Sequence, residues 1–283
     1  MTTHRTITVD GSPVHVFECG TGPAVLMLHG SGPGTTGSGA WATTARALGT
    51  SWRLVAPDQA GFGRTPIPAG SRGGLRLWSE QAAGLMDALG VDSYAVVGHS
   101  MGGAVALALA AARPHQVTEV VAVSTMGAPG APLSAALDAV WAAPPDLHGA
   151  RDMLSRLVFD QTLVTDAAVE ARAAAMRAGA TAYASLFPPP RARWAAGLAL
   201  SAQTLAAIRA PVLLVHGAED LLTPLGTAVQ PLIEHLADVR LHVFGRCGHV
   251  PAVEHPHEFR RLLSCFLRRQ GRSAGSATNG STI

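Results

Sequence analysis

The chain has 283 residues, 48% of them hydrophobic, and a formal charge of +2, so it can bury one large core and carries no electrostatic footprint for nucleic acid or a membrane surface. Its 21 basic residues are all arginine and are scattered among 19 acidic ones. Cys19, Cys247 and Cys265 are too few and too far apart for a disulfide framework or a zinc site, and no run is apolar for long enough to be a signal peptide or a membrane span.

The expectation is a cytoplasmic protein acting on a small molecule, with no metal and no cofactor. Residues 5–9 and 14–18 alternate apolar and polar around Asp10-Gly11-Ser12, the pattern of a hairpin at the antiparallel edge of a sheet. Residues 24–28 are wholly apolar, as suits a strand covered on both faces. They lead into His29-Gly30-Ser31-Gly32-Pro33-Gly34, whose glycines let backbone N–H groups approach a bound oxygen. A helix over 41–48 and a strand over 53–56 follow. In the next loop Asp58 precedes a glycine turn, so it is expected to bind its own backbone and not to serve as a catalytic acid. Helical spacing over 75–89 stops at Gly90, a C-cap signal.

The stretch 94–112 organises the rest. An apolar run meets Gly98-His99-Ser100-Met101-Gly102-Gly103 and then an Ala/Leu-rich run, which reads as strand, sharp turn and helix with Ser100 on the turn. A nucleophile there sits in strained backbone with its hydroxyl pushed clear, and Gly98 and Gly102 let strand and helix pass closely. The helix N-terminus favours negative charge developing at the same point.

A further buried strand is expected over 119–123. The alternation of strand and helix then stops between Gly127 and Pro211, where 134–141, 151–159 and 165–178 read as helices and 187–194 as a proline-rich lead into another. An all-helical insert that leaves after one strand and returns before another is positioned to roof the strand ends. The domain reading is therefore a core over 1–130 and 210–270, a helical cap over 131–209 and a disordered Gly/Ser/Thr-rich tail over 271–283. Strands over 211–215 and 239–244, a helix over 224–236 and an amphipathic helix over 258–268 complete the core, a mostly parallel eight-stranded sheet wound on both faces.

In such a sheet ligands bind beyond the carboxyl ends of the strands. A serine hydroxyl needs a histidine to take its proton and a carboxylate to orient that histidine. His249 lies in the loop after the last strand, beside a glycine, whereas His216 and His242 lie in or at the end of strands and are expected to be structural. Asp220 sits after the penultimate strand, with Glu219 as the fallback acid. The order Ser100, Asp220, His249 is that of one fold class. The backbone N–H of Met101 and one from Ser31 or Gly32 would form the oxyanion hole.

On these motifs the chain resembles the α/β-hydrolases, with a core over about 5–126 and 210–270. More finely, the stretches 29–34, 58–63, 137–141, 187–194 and 241–254 resemble the meta-cleavage-product hydrolases, which split a carbon–carbon bond in ring-opened catechols, and especially the branch acting on 2-hydroxymuconic semialdehyde. The resemblance implies a cap arginine that binds the substrate's carboxylate or dienolate, best matched by Arg191 with Arg193 close behind, and a homodimer or larger homo-oligomer. Trp194 falls in the same stretch as a pocket candidate.

The departures fall in the pocket. His99 stands where the family has Asn, Ala40 where it has another Asn, and Val250 where it has Trp. The resemblance therefore implies a hydrolase of a vinylogous 1,5-diketone, degradative or biosynthetic. The alternatives are an ester, lactone or thioester hydrolase on the same triad, a non-catalytic ligand receptor, and a cofactor-free cyclase.

Overall fold

The chain opens with a hairpin in the computed structural model, which describes residues 2–267. Strands β1 (Thr2–Val9) and β2 (Ser12–Cys19) are joined by a two-residue turn in which Asp10 has φ 47° and Gly11 φ 77°. Two successive positive φ values match the twist of the flanking strands, which is why Asp-Gly serves here. The remaining strands are β3 (Ala24–Leu28), β4 (Arg53–Pro57), β5 (Tyr94–His99), β6 (Val117–Val123), β7 (Val212–Gly217) and β8 (Val239–Phe244). They form one sheet in the order β1-β2-β4-β3-β5-β6-β7-β8; β1 pairs with β2 and β2 with β4 antiparallel, and all other neighbours are parallel.

The central strands alternate their side chains between two apolar layers. Leu26, Leu28, Val96, Val120 and Leu214 face one cluster with residues of α2 (Leu75–Ala88) and α3 (Met101–Ala112); Val25, Met27, Val97, Val121 and Val215 face the other, with α1 (Gly37–Leu48). Burial on both faces is what makes these strands read as continuous apolar runs.

Between β6 and β7 the chain builds α4 (Ala135–Ala142), α5 (Leu147–Leu157), a 3-10 turn (Gln161–Leu163), α6 (Asp166–Ala184), α7 (Ala192–Gly197) and α8 (Ala202–Ala206), with no strand among the described residues. Local chemistry sets four of these starts: the side chains of Ser134, Asp146, Thr165 and Ser201 each accept a hydrogen bond from a backbone N–H three residues on. Asp146 starts α5 four residues earlier than the expected 151, and α6 runs six residues beyond the expected 178.

The helix expected over 224–236 is two, α9 (Leu225–Ala228) and α10 (Gln230–His235). Pro231 lacks the N–H that would continue the first into the second. After β8, α11 (Pro251–Glu254) and α12 (Pro256–Leu267) follow, and α12 packs Phe259, Leu263 and Phe266 on the α1 side of the sheet. The expected tail lies outside the described residues. Among the described residues no helix is long and apolar enough to cross a membrane.

Candidate active site

Ser100 joins β5 to α3 at φ 55°, ψ −118°, a strained conformation for a residue with a side chain. Its neighbours explain how the turn is built. A Cβ on Gly98 would lie 2.0 Å from the carbonyl oxygen of Gly102, and one on Gly102 would lie 2.5 Å from that of Leu28. Neither position has room for any residue but glycine, so the paired glycines are a packing requirement of the turn. Met101 opens α3, which leaves its amide among the first-turn donors without an intrahelical acceptor. The amides of Ser31 and Gly32 donate to no protein acceptor among the described residues. Their loop is held from behind: Trp141 Nε1 donates to Ser31 Oγ at 2.8 Å and Tyr183 Oη to the Ser31 carbonyl at 2.9 Å.

His249 Nδ1 donates to Asp220 Oδ2 at 2.8 Å, which leaves Nε2 as the free face of the ring. The carboxylate is fully engaged. Asp220 Oδ1 accepts the amides of Leu222 (2.8 Å) and Thr223 (3.0 Å), and Oδ2 also accepts Thr223 Oγ1 at 2.7 Å. Burial alone would push the Asp220 carboxyl up, but the His249 ring beside it and its hydrogen bonds, with help from His216, outweigh that and hold it well below the usual range. His216 Nε2 donates to the Thr223 carbonyl at 2.7 Å and lies 3.4 Å from Asp220 Oδ2, so this strand-end histidine packs directly on the acid.

Glu219 and Asp58 are engaged elsewhere. Glu219 Oε2 accepts the Cys247 amide at 2.9 Å and so braces the histidine loop from outside. Asp58 accepts the amides of Gly37 and Arg64 and meets His15 Nδ1 at 3.0 Å, holding its own loop to the start of α1. His242, in β8, lies 3.9 Å from Glu258.

Ser100, His249, Ser31, Gly32, His99, Ala40 and Val250 all line one cavity of about 460 Å³. Leu137 and Val140 of α4, Met153 and Leu157 of α5 and Arg172 of α6 complete its wall, so the helical segment faces the strand-end loops across it. His99 Nε2 donates to the His249 carbonyl at 2.8 Å, and the two rings pack 4.8 Å apart. Burial, then the adjacent His249, push the His99 pKa down to about 3. His99 is therefore neutral, with Nδ1 as an acceptor on the side of Gly30, where an added Cβ would come within 3.1 Å of it.

Two expected pocket residues are not brought there. Arg191 does not line this cavity: its Nη1 lies 3.5 Å from Asp138 Oδ1 and its Nε is buried without a partner among the described residues. Trp194 donates Nε1 to the Pro188 carbonyl at 2.7 Å, carries Arg193 over its ring at 4.7 Å, and lines a separate surface cleft. Neither side chain lines the cavity that holds Ser100. Conversely, Trp141, Tyr183, Arg172, Thr223 and His216 belong to the site without having been singled out for it. Only Thr223 had a local signal, a hydroxyl three residues after a loop aspartate.

The sequence profile of the alpha/beta hydrolase fold matches residues 23–256. The 2-hydroxy-6-oxo-2,4-heptadienoate hydrolase of Pseudomonas putida is 38% identical to the chain over 265 residues, spanning 93% of the chain and 95% of the relative. The 2-hydroxymuconate semialdehyde hydrolase of Pseudomonas sp. (strain CF600) is 37% identical over 265 residues, spanning 93% of each. Among solved structures, a meta-cleavage product hydrolase from Pseudomonas fluorescens IP01 superposes with a TM-score of 0.90 at 32% identity, over 94% of this chain and 98% of that one.

Proposed function

Because this chain belongs to the α/β-hydrolase fold family, we propose that it is a serine-dependent hydrolase that cleaves the carbon–carbon bond of a vinylogous 1,5-diketone, a ring-opened catechol of the dienoate type. What carries the reading is the convergence of Ser100, the Asp220-oriented ring of His249 and unengaged loop amides on one largely apolar cavity. The relatives that span most of the chain and act on such dienoates support it.

The chemistry follows from those groups. The enol substrate first takes a proton at the carbon next to the distant carbonyl and gives one up from its enol oxygen, becoming a diketone; the His249 imidazole shuttles this proton. Ser100 Oγ then attacks the distant carbonyl while His249 takes the hydroxyl proton. The Met101 amide, with that of Ser31 or Gly32, holds the oxyanion. Collapse breaks the carbon–carbon bond, and its electron pair is delocalised into the conjugated ketone as a dienolate, which is protonated and departs. Water, deprotonated by His249, releases the acyl group from Ser100. The sum is substrate plus water giving a 2-hydroxydienoate and a carboxylic acid.

The helices between β6 and β7 act in this reading as the cap that closes the site, and the unbridged Cys19, Cys247 and Cys265 suit a reducing cytoplasm. A second reading is an ester hydrolase on the same residues, favoured by the small apolar Ala40 and Val250 in the wall. Turnover of a ring-cleavage product beside a p-nitrophenyl ester separates the two. The first reading expects the yellow dienolate absorbance to vanish much faster than the ester is hydrolysed, and the reverse outcome sinks it.

A further inference from the structure

A Cβ on Gly32 would lie 3.0 Å from Met153 Cε, so a side chain of α5 closes directly on the loop whose Ser31 and Gly32 amides are unengaged. Leu154 and Leu157 on the same helix, with Leu137 and Val140 on α4, continue that wall. Among the described residues α4 and α5 present only apolar side chains to the cavity. Leu154 and Leu157 are half-buried, which leaves apolar surface for a ligand to cover.

A scissile carbonyl whose oxygen sits on the Met101 amide and that of Ser31 or Gly32 turns one substituent toward this wall. The dienoate arm does not suit it, because the carboxylate would lose its water and meet only apolar side chains. The acyl substituent does. Volume then narrows its class. A 2-hydroxy-6-oxo-dienoate ending in a methyl group has eleven non-hydrogen atoms, which even at the ~30 Å³ of a free water fill about 330 Å³. The cavity holds about 460 Å³, and the difference admits at least about four further atoms at that loose spacing. Linked carbons pack closer and raise the number.

We propose that the acyl group carried by Ser100 is a bulky apolar one, an aryl ring or an alkyl chain of about five carbons or more, lodged against Met153, Leu154 and Leu157. It is larger than the formyl and methyl ends of the substrates for which the two Pseudomonas relatives are named. Hydrolysis then gives an aromatic or medium-chain acid beside the same 2-hydroxydienoate. The assignment rests on the dienoate reading above and adds to it the substituent that the pocket selects.

The test is kcat/KM of the full chain on 2-hydroxy-6-oxo-dienoates whose distant carbonyl carries hydrogen, methyl, pentyl or phenyl, beside p-nitrophenyl acetate and hexanoate. Each methylene that gains apolar wall is worth about fourfold, so pentyl should exceed methyl by at least about tenfold with as few as two of its four added methylenes covered, and phenyl should exceed it similarly. Leu154→Trp, which fills the wall, should cut the pentyl-to-methyl ratio about fourfold or more. Leu154→Ala, which widens it, should move the optimum to a longer chain, and it decides alone if Leu154→Trp folds poorly. A preference for the methyl or formyl substrate overturns the proposal, as does a pentyl-to-methyl ratio that neither Leu154 variant moves. A chain that leaves every ring-opened substrate intact, yet favours hexanoate over acetate and loses that preference in Leu154→Trp, overturns the carbon–carbon reading and leaves the acyl site standing.

Discussion

The backbone amide of His249 donates to the carbonyl of Leu157 at 2.7 Å, so the histidine of the site hangs from the last residue of α5, in the helical segment above it. Glu254 repeats the connection. One of its oxygens accepts the amides of Phe159 at 2.6 Å and Asp160 at 3.2 Å, and the other accepts that of Gly248 at 2.7 Å. Glu254→Gln leaves one side of this clasp with an amide where an acceptor is needed. It should cost about 1–3 kcal/mol of stability and lower kcat several-fold through loss of register at His249, read from denaturant melts and steady-state rates.

Asp220→Asn should keep the fold and lose about 10⁴ in kcat, the size of effect known when the acid of a serine triad is made neutral and the histidine adopts the wrong tautomer. Glu219→Gln, whose carboxylate accepts only the Cys247 amide among the described residues, should lower activity far less. A comparable loss in both variants would move the acid role to position 219.

Glycines at different sites should respond in opposite directions. Gly98→Ala places a methyl carbon 2.0 Å from a backbone oxygen, whereas Gly179, inside α6, has nothing within 4 Å of the same position. Gly98→Ala should therefore abolish activity and fold poorly, while Gly179→Ala should raise stability by roughly 0.5–1 kcal/mol. Thermal melts of the two variants check both signs.

Glu119 is buried in β6, and burial pushes its carboxyl from the ordinary 4.5 up to about 7. The folded chain thus keeps a proton that the unfolded chain releases. This contribution is fully present below pH 4.5, falls as pH rises toward about 7 and levels off beyond. Glu119→Gln should flatten the slope, shrinking the stability difference between about pH 5 and about pH 8 by on the order of 2 kcal/mol. An unchanged slope in urea melts would refute it.

Much of this was readable from residues alone because the chemistry constrains where they can stand. Ser100, Asp220 and His249 follow β5, β7 and β8, three parallel strands whose carboxyl ends share one edge of the sheet. The paired glycines were legible because the turn admits nothing larger. Arg172 was not, since an arginine on the Ala-rich helix α6, five residues from Arg177, carries the pattern of a solvated face; only the approach of the 33–36 loop brings it to the cavity wall. Arg191 misled for the complementary reason. Its position matched a motif, but in the fold it meets Asp138 and does not line the cavity, and that is a tertiary fact. His216 looked structural for ending a strand, yet β7 ends where the acid begins.

Pinning α5 to the histidine loop also determines how a molecule reaches the serine. Were that segment to swing outward as a hatch, it would drag His249 with it and dismantle the proton relay at every visit. Leu163 and Val253, 37% and 55% exposed, line the cavity where it meets solvent. Passage between these side chains, which can turn within nanoseconds, would leave the His249–Asp220 hydrogen bond assembled.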